Sequence, residues 1–186
     1  MADASLNSGV QIRTNTNPDY LKGRVHGYQV EIESSPRKWA GGIYDEARRG
    51  WLYPLSVNSK GQEAFKVGEW NHYRVEAIGR NIRTWVNGIQ CANLVDELTA
   101  EGFIAFQVHD IGDKKENENK EIRWRNITIQ TDNLLKERKM VKAGVKEISY
   151  LKNELSNYEK RQAWSCLLYT SPSPRDRTRS RMPSSA

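Results

Sequence analysis

Residues 27–31 read GYQVE, and residues 102–109 read GFIAFQVH. Alternate side chains of a β-strand lie on the same face of the sheet. In each stretch the polar side chains therefore share one face: Gln29 with Glu31, and Gln107 with His109. The apolar side chains share the opposite face: Val30 in the first stretch, and Ile104, Phe106 and Val108 in the second. The two stretches predict a sheet with an apolar back and a solvent-facing polar front.

The chain up to residue 130 repeats this pattern of short strand-like runs separated by turn residues. Such runs occur at residues 10–13, 28–32, 71–77, 82–86, 103–109 and 122–129. Residues 79–81 and the pair Asn87 and Gly88 are typical of tight hairpin turns. Several short strands at regular spacing predict an all-β fold, an antiparallel sandwich of two sheets.

The spacing of apolar residues changes after residue 131. They now recur every three or four positions: Val141, Val145, Ile148, Leu151, Leu155 and Tyr158. This spacing predicts an amphipathic helix, which Gly144 weakens. Residues 131–165 are therefore predicted to be a helical linker that packs one stripe on the sandwich or leads to another domain.

Residues 166–186 have no hydrophobic period and read CLLYTSPSPRDRTRSRMPSSA. Codons for this segment can be written as the two halves of a sequencing adapter, in the right order and with an index-sized gap between them. The alternative is a Ser/Pro/Arg-rich disordered tail. We interpret the segment as translated adapter, exclude it from fold reasoning and expect the gene fragment to end near Ser165.

Composition narrows the functional classes. The chain has 186 residues and a net charge of +6. Four arginines and one aspartate in residues 166–186 give a net of +3, so only +3 remains on the rest. That charge gives little support to a nucleic-acid partner, so none is expected, and no apolar run is long enough to cross a membrane. The two cysteines do not predict a disulfide framework or a CxxC metal site.

Seven short motifs occur in the order of a known family. They are NSGVQIR at 7–13, GYQVE at 27–31, GGIYDE at 41–46, WN at 70–71, TWVNG at 84–88, GFIAFQVH at 102–109 and IRWRNI at 122–127. Together they resemble the 3-keto-disaccharide hydrolase domain. The resemblance implies a concanavalin-like jelly roll over residues 1–130, N-terminally incomplete, because domains of this family carry several strands before the NSG motif. It also implies a second domain copy after residues 156–164, and a periplasmic or secreted protein.

Glu31 and His109 are the best candidates for a general acid–base pair, since a carboxylate and an imidazole are the usual parts of such a site. By alternation Gln11 and Arg13 also share a face. If these faces coincide, Arg13, Gln11, Gln29 and Gln107 form one polar surface that binds substrate. A structural ion pair between Glu31 and Arg13 is the alternative.

The loop at residues 41–54 is a second candidate for substrate binding. It places aromatic side chains, which stack on sugar rings, next to charged groups that bind hydroxyls: Tyr44, Asp45, Arg49 and Trp51. Its aromatic residues could instead cap the core. No cofactor motif is evident, although His109, Glu31 and one further carboxylate could hold a divalent metal.

The resemblance implies an enzyme that cleaves glycosides already oxidised to a ketone at sugar carbon 3, so an oligosaccharide or glycoside is the expected partner. In that hypothesis His109 or Glu31 removes the proton at carbon 2, and Arg13 or a metal stabilises the enolate. Two alternatives remain open: a non-catalytic carbohydrate-binding module, and a conventional glycosidase that needs no prior oxidation.

Overall fold

The alternating segments form two β-sheets that pack face to face. The computed structural model describes residues 6–150. The strands are β1 (Asn7–Asn15), β2 (His26–Glu33), β3 (Ile43–Glu46), β4 (Gly50–Tyr53), β5 (Tyr73–Ile78), β6 (Asn81–Val86), β7 (Ile89–Asp96), β8 (Phe103–Val108) and β9 (Ile148–Tyr150). The α-helices are single turns, α1 (Ser59–Gln62) and α2 (Leu134–Glu137), and 3-10 turns occupy Leu21–Gly23, Leu55–Val57 and Lys115–Asn117.

The first sheet has five strands in the order β4-β3-β2-β1-β8, and the second has four in the order β5-β6-β7-β9. All neighbouring strands are antiparallel except β7 and β9, which are parallel. The predicted all-β sandwich is therefore confirmed. Between residues 6 and 150, no helix combines the length and apolar character needed to cross a membrane.

Both predicted hairpin turns are present in the second sheet. Ile78 pairs with Asn81 across a two-residue turn, and Val86 pairs with Ile89 across Asn87 and Gly88. Asn87 and Gly88 have φ angles of 50° and 81°. Two consecutive positive φ angles match the right-handed twist of the flanking strands, which explains why Asn-Gly predicts the hairpin so well.

The core lies between the two sheets. The first sheet contributes Ile12, Tyr28, Ile43, Leu52 and Tyr53, and the second contributes Ile82, Val86, Cys91, Ala92 and Leu94. All of these side chains are buried, and the most exposed of them, Ile12, is 7% exposed. Burial of apolar area is the main favourable contribution to folding, at about 25 cal/mol per Å².

Strand β1 contains a bulge at Arg13, where φ is 49°. The pairing of β1 shifts between Ile12 and Asn15 on the β2 side, and between Gln11 and Thr14 on the β8 side. Two glycines lie against the bulge. A Cβ atom at Gly27 would lie 2.8 Å from Thr14 Cα, and one at Gly102 would lie 2.5 Å from Thr14 O. These glycines, which begin the two motifs GYQVE and GFIAFQVH, let the neighbouring strands approach the bulge closely.

Two sequence predictions of secondary structure are wrong within the described residues. No strand forms at residues 122–129, where Asn126 has a φ of 54° and both Ile127 and Ile129 are exposed. The helix predicted for 131–165 is reduced to α2, and Ile148–Tyr150 forms strand β9. Gly144, with a φ of 85°, interrupts the segment, and pairing with β7 supplies the backbone hydrogen bonds that a helix would otherwise provide. The remainder of that prediction, and residues 166–186, lie outside the described residues.

Candidate active site

The face of the first sheet that points away from the core carries most of the predicted site residues. Register places them in two rows across the strands. One row runs Ala105, Gln11, Gln29, Tyr44 and Trp51, and the next runs Gln107, Gly9 and Glu31. We call this surface the polar face. The structure therefore brings together Gln11, Gln29, Glu31 and Gln107, as the alternation predicts.

The exposure of the polar side chains differs from the expectation, and at β8 the apolar side chains are exposed. Gln11, Gln29 and Glu31 are only 5%, 2% and 4% exposed. On the opposite side Phe106 and Val108 are 38% and 80% exposed, although register places Phe106 beside Val10, which packs on the core. The apolar side chains of β8 thus lie on the core side of the sheet, but the residues of the core do not extend far enough to bury them. The polar side chains at the centre of this front pack against one another, while Asn7, Tyr44, Trp51 and Gln107 around them remain partly exposed.

Glu31 lies at the centre of this network. Asn7 Nδ2 donates a hydrogen bond to Glu31 Oε1, and Gln29 Nε2 donates one to Glu31 Oε2 at 3.2 Å. Gln11 Nε2 in turn donates to Gln29 Oε1 at 3.2 Å. Gly9 makes room for this arrangement, because a Cβ atom there would overlap the side chain of Gln29. The chain of amides holds the Glu31 carboxyl group in one orientation.

Burial raises the pKa of Glu31, because removing a carboxylate from water disfavours its charged form. The hydrogen bonds from Asn7 and Gln29 act in the opposite direction, since they stabilise the carboxylate. Burial is the larger effect. A carboxyl group whose pKa is raised in this way is a stronger base once it is ionised, and it is a candidate for proton transfer.

His109 lies at the edge of the polar face, just after β8. Its ring is exposed, and Nδ1 lies 2.7 Å from the carbonyl oxygen of Asp110. His109 and Asn7 line the same open cleft, which has a volume of about 800 Å³ and is also lined by residues 110–112 and by Lys114. Asn7 therefore connects the cleft of His109 to the carboxyl group of Glu31.

Arg13 does not share the polar face with Gln11, which corrects the prediction from alternation. The bulge inserts one residue, so Thr14 rather than Arg13 occupies the next position in register with β8. The Arg13 guanidinium interacts electrostatically with Tyr28 and Asp96, which lie on the core side, and burial lowers its pKa. The alternative of an ion pair between Glu31 and Arg13 is also wrong for the same reason.

Asp45 and Arg49 are likewise absent from the polar face. Asp45 pairs in register with Tyr28 and is fully buried. Its carboxylate binds Arg48 at 2.6 Å and Arg49 at 2.5 Å, and Arg49 also binds Asp96 at 2.8 Å. The predicted substrate ligands Asp45 and Arg49 are therefore committed to a buried ionic cluster within the protein.

The aromatic pair of the loop does lie beside the polar face. Tyr44 and Trp51 make an edge contact with ring centroids 5.1 Å apart, and Trp51 makes another with Trp39 at 4.7 Å. Tyr44 is the register neighbour of Gln29. The polar network around Glu31 thus has an aromatic wall on one side, which is the combination that sugar-binding sites use.

Sequence comparison matches residues 1–130 to the 3-keto-α-glucoside-1,2-lyase-like domain. The chain belongs to this family. The matched residues include all seven motifs, from the NSG motif at residues 7–9 to the IRWRNI motif at residues 122–127. The match confirms the resemblance to 3-keto-disaccharide hydrolases. No curated protein sequence matches the chain.

Membership of the 3-keto-α-glucoside-1,2-lyase-like family assigns the domain to carbohydrate-active hydrolases and lyases, with a sugar as substrate. The polar face with its aromatic wall is the part of this family member that suits such a substrate. Within residues 6–150, no three His, Cys, Asp or Glu side chains are grouped closely enough to hold a metal ion. The set of His109, Glu31 and a further carboxylate therefore does not form a ligand group in this part of the chain.

Three further side chains at the polar face were not singled out in the sequence, namely Asn7, Glu33 and Arg37, and Trp39 beside them is a residue that the sequence assigns to packing. Glu33 follows Glu31 by two positions, so alternation alone places it on the same face. Arg37 and Trp39 carry no such signal, because they lie in the turn after β2 and reach the polar face only through the path of that turn.

Proposed function

We propose that this domain cleaves glycosides of 3-keto sugars by elimination, with Glu31 as the base. The observation that carries the proposal is the buried carboxyl group of Glu31, oriented by Asn7 and Gln29 on the polar face. Family membership supports a sugar substrate. The aromatic wall of Tyr44 and Trp51 supports a sugar ring stacked beside that carboxyl group.

The reaction begins with proton transfer from carbon 2 of the sugar to the Glu31 carboxylate. The ketone at carbon 3 makes this proton acidic, and the electrons of the C–H bond form an enolate. The enolate then collapses to a double bond between carbons 1 and 2, and the bond from carbon 1 to the glycosidic oxygen breaks. That oxygen leaves with the electron pair and takes a proton from an acid. Water can later add across the double bond.

His109 is the residue we assign to the leaving oxygen. It is exposed at the edge of the polar face and lines the cleft that Asn7 connects to Glu31. The sequence left open which of the two residues is the base. We assign Glu31 as the base that removes the proton from carbon 2 and His109 as the acid that protonates the leaving oxygen. The buried position of Glu31 favours it as base, because its raised pKa makes its conjugate carboxylate more basic than an exposed one.

The test replaces Glu31 by Gln and measures release of alcohol from methyl 3-keto-α-glucoside. A positioned general base contributes about 10²- to 10⁴-fold to rate, so we expect kcat to fall by roughly a hundredfold or more. His109→Ala should lower turnover less for a substrate whose leaving group is a phenol, because a phenol needs little help from an acid. Unchanged turnover by Glu31→Gln would refute the assignment of the base.

A non-catalytic carbohydrate-binding module is the second candidate. The aromatic wall favours it, because stacking on a sugar ring requires no proton transfer. This alternative expects binding of unoxidised glycans and no cleavage of keto-sugars. Assaying native and 3-keto disaccharides with the same preparation separates both candidates from a conventional glycosidase, which would cleave the native disaccharide.

A further inference from the structure

Elimination next to a ketone requires a group that stabilises negative charge on the ketone oxygen. Arg13, the cation expected for this task, lies on the core side of the sheet. The polar face has another guanidinium nearby, that of Arg37. It follows β2 in the turn that leads to the aromatic residues, and its side chain is 41% exposed.

Glu33 fixes the position of Arg37. Arg37 Nε donates to Glu33 Oε1 at 3.1 Å, and Nη2 donates to Oε2 at 2.7 Å. The Glu33 carboxylate is 5% exposed and also accepts hydrogen bonds from the backbone N–H of Trp39 and from Ser35. A two-point hydrogen bond of this kind holds the guanidinium plane in one orientation. Among residues 6–150 the third nitrogen, Nη1, has no hydrogen-bond acceptor.

The aromatic wall holds the same guanidinium from one side. Its central carbon lies 4.6 Å from the ring centroid of Trp39 and 4.8 Å from that of Trp51. Stacking on tryptophan stabilises a guanidinium and limits its motion. Arg37 is therefore an ordered cation with one free donor edge, positioned between the aromatic wall and the carboxyl groups of β2.

Glu31 and Glu33 are two positions apart on one strand face, so their Cα atoms are roughly 7 Å apart. Arg37, which is bound to Glu33, therefore lies close enough to Glu31 for one sugar ring to contact both side chains. An electrostatic effect is consistent with this placement, because Arg37 lowers the pKa of Glu31 in opposition to burial. A ring that places its C2 hydrogen at Glu31 can direct its C3 oxygen toward Arg37.

We propose that Arg37 binds the ketone oxygen of the substrate through its free Nη1 edge and stabilises the enolate. The inference rests on the proposed elimination and makes the site specific for sugars with a carbonyl group beside the carbon that loses its proton. As the proton moves from carbon 2 to Glu31, negative charge develops on the ketone oxygen. The interaction with Arg37 strengthens at that stage, so it accelerates the reaction rather than simply tightening binding.

The experiment compares Arg37→Met and Arg37→Lys with wild type on methyl 3-keto-α-glucoside. Removal of one oxyanion donor costs about 10²- to 10³-fold in kcat, so we expect a loss of that size with a smaller change in KM. Arg37→Lys keeps the charge beside Glu33 and preserves the fold, but it cannot pair with Glu33 at two points and still present a free donor. It should therefore remain at least tenfold impaired. Arg24→Met removes another arginine paired with a glutamate, Glu46, and should retain wild-type turnover.

The outcomes separate this inference from the proposed function. Wild-type turnover by both Arg37 variants, with Glu31→Gln inactive, would overturn the role of Arg37 and leave the elimination intact. Absence of turnover by wild type would contradict the elimination itself. In that case calorimetry with the same 3-keto glucoside still tests Arg37, since Arg37→Lys should weaken binding of the keto form more than binding of methyl α-glucoside. Equal effects on both ligands would refute recognition of the carbonyl group.

Discussion

Two opposing effects act on the carboxyl group of Glu31. Burial raises its pKa, while the amides of Asn7 and Gln29 lower it by donating hydrogen bonds to the charged form. Gln29 is itself held by Gln11, so the donor to Oε2 cannot easily turn away. Burial is the larger effect on the proton affinity of this residue, and its neighbours on the polar face partly offset it. A mutation of those neighbours should change the pH dependence of the proposed reaction.

Gln29→Leu removes one donor to the carboxylate, so the pKa of Glu31 should rise further above its ordinary value. A base must be ionised to accept a proton, and the acidic limb of kcat/KM should therefore move to higher pH. The measurement is a pH profile of turnover on methyl 3-keto-α-glucoside. Gln130→Leu removes an exposed amide elsewhere and should leave the profile unchanged. A lower rate with an unmoved limb would mean that Gln29 has only a structural role.

At the scale of elements, the bulge in β1 decides which side chains reach the polar face. It moves Arg13 to the core side and brings Thr14 into register with Phe103. The bulge fits because the neighbouring strands carry glycine at the points of closest approach, Gly27 and Gly102. Arg13 has a positive φ, which is rare for a residue with a side chain and is sustained here by pairing on both sides.

Gly102→Ala should destabilise the domain by roughly 2 kcal/mol or more, because it adds a steric clash with the β1 backbone to the strain of a positive φ. Gly68→Ala is the matched control. Its φ is 79° but no atom lies within 4 Å of its Cβ position, so only the strain of the positive φ remains and it should lose about 1 kcal/mol. Denaturant unfolding of the two variants and wild type measures both values. Equal losses would show that the strands do not approach closely at Gly102.

At the scale of the whole molecule, the two sheets are joined by charge as well as by the core. Tyr28 on β2 donates a hydrogen bond to Asp96 on β7, and Arg49 binds both Asp96 and Asp45 on β3.

At the other end of the first sheet, the edge strand β8 is poorly covered by other residues. β8 is the last strand of its sheet, with no strand partner on its outer side among the described residues. The segment 102–108 also carries no charge.

An uncharged edge strand with exposed apolar side chains favours association between molecules. We therefore expect the isolated chain to aggregate readily. Val108→Lys places a charge on the most exposed apolar residue of β8 and should raise the concentration at which the protein remains monodisperse by light scattering. Val67→Lys adds the same charge at another exposed valine and should give little improvement. Equal improvement by both variants would point to net charge rather than to the edge of β8.

Much of the fold and part of the site follow from local patterns. Alternation in 27–31 predicts a strand with Gln29 and Glu31 on one face, because side-chain direction in a strand is a property of the backbone itself. Asn87 and Gly88 predict their hairpin because few other residues accept two positive φ angles in succession. These features depend on neighbours in the chain, so the sequence by itself determines them.

The remaining features depend on which segments meet in space. The pattern of Val141, Val145 and Ile148 suits a helix, yet pairing with β7 makes Ile148–Tyr150 a strand. Alternation cannot reveal the bulge at Arg13, since the bulge is stabilised by strands on both sides. Likewise, only packing decides that Gln11, Gln29 and Glu31 are buried, and that Arg37 reaches the polar face. The sequence alone determined the all-β class, the shared face of Gln29 and Glu31, and the family. Tertiary structure decided β9, the bulge at Arg13 and the side chains that gather at the polar face, because burial and long-range pairing are set by the assembled sheets.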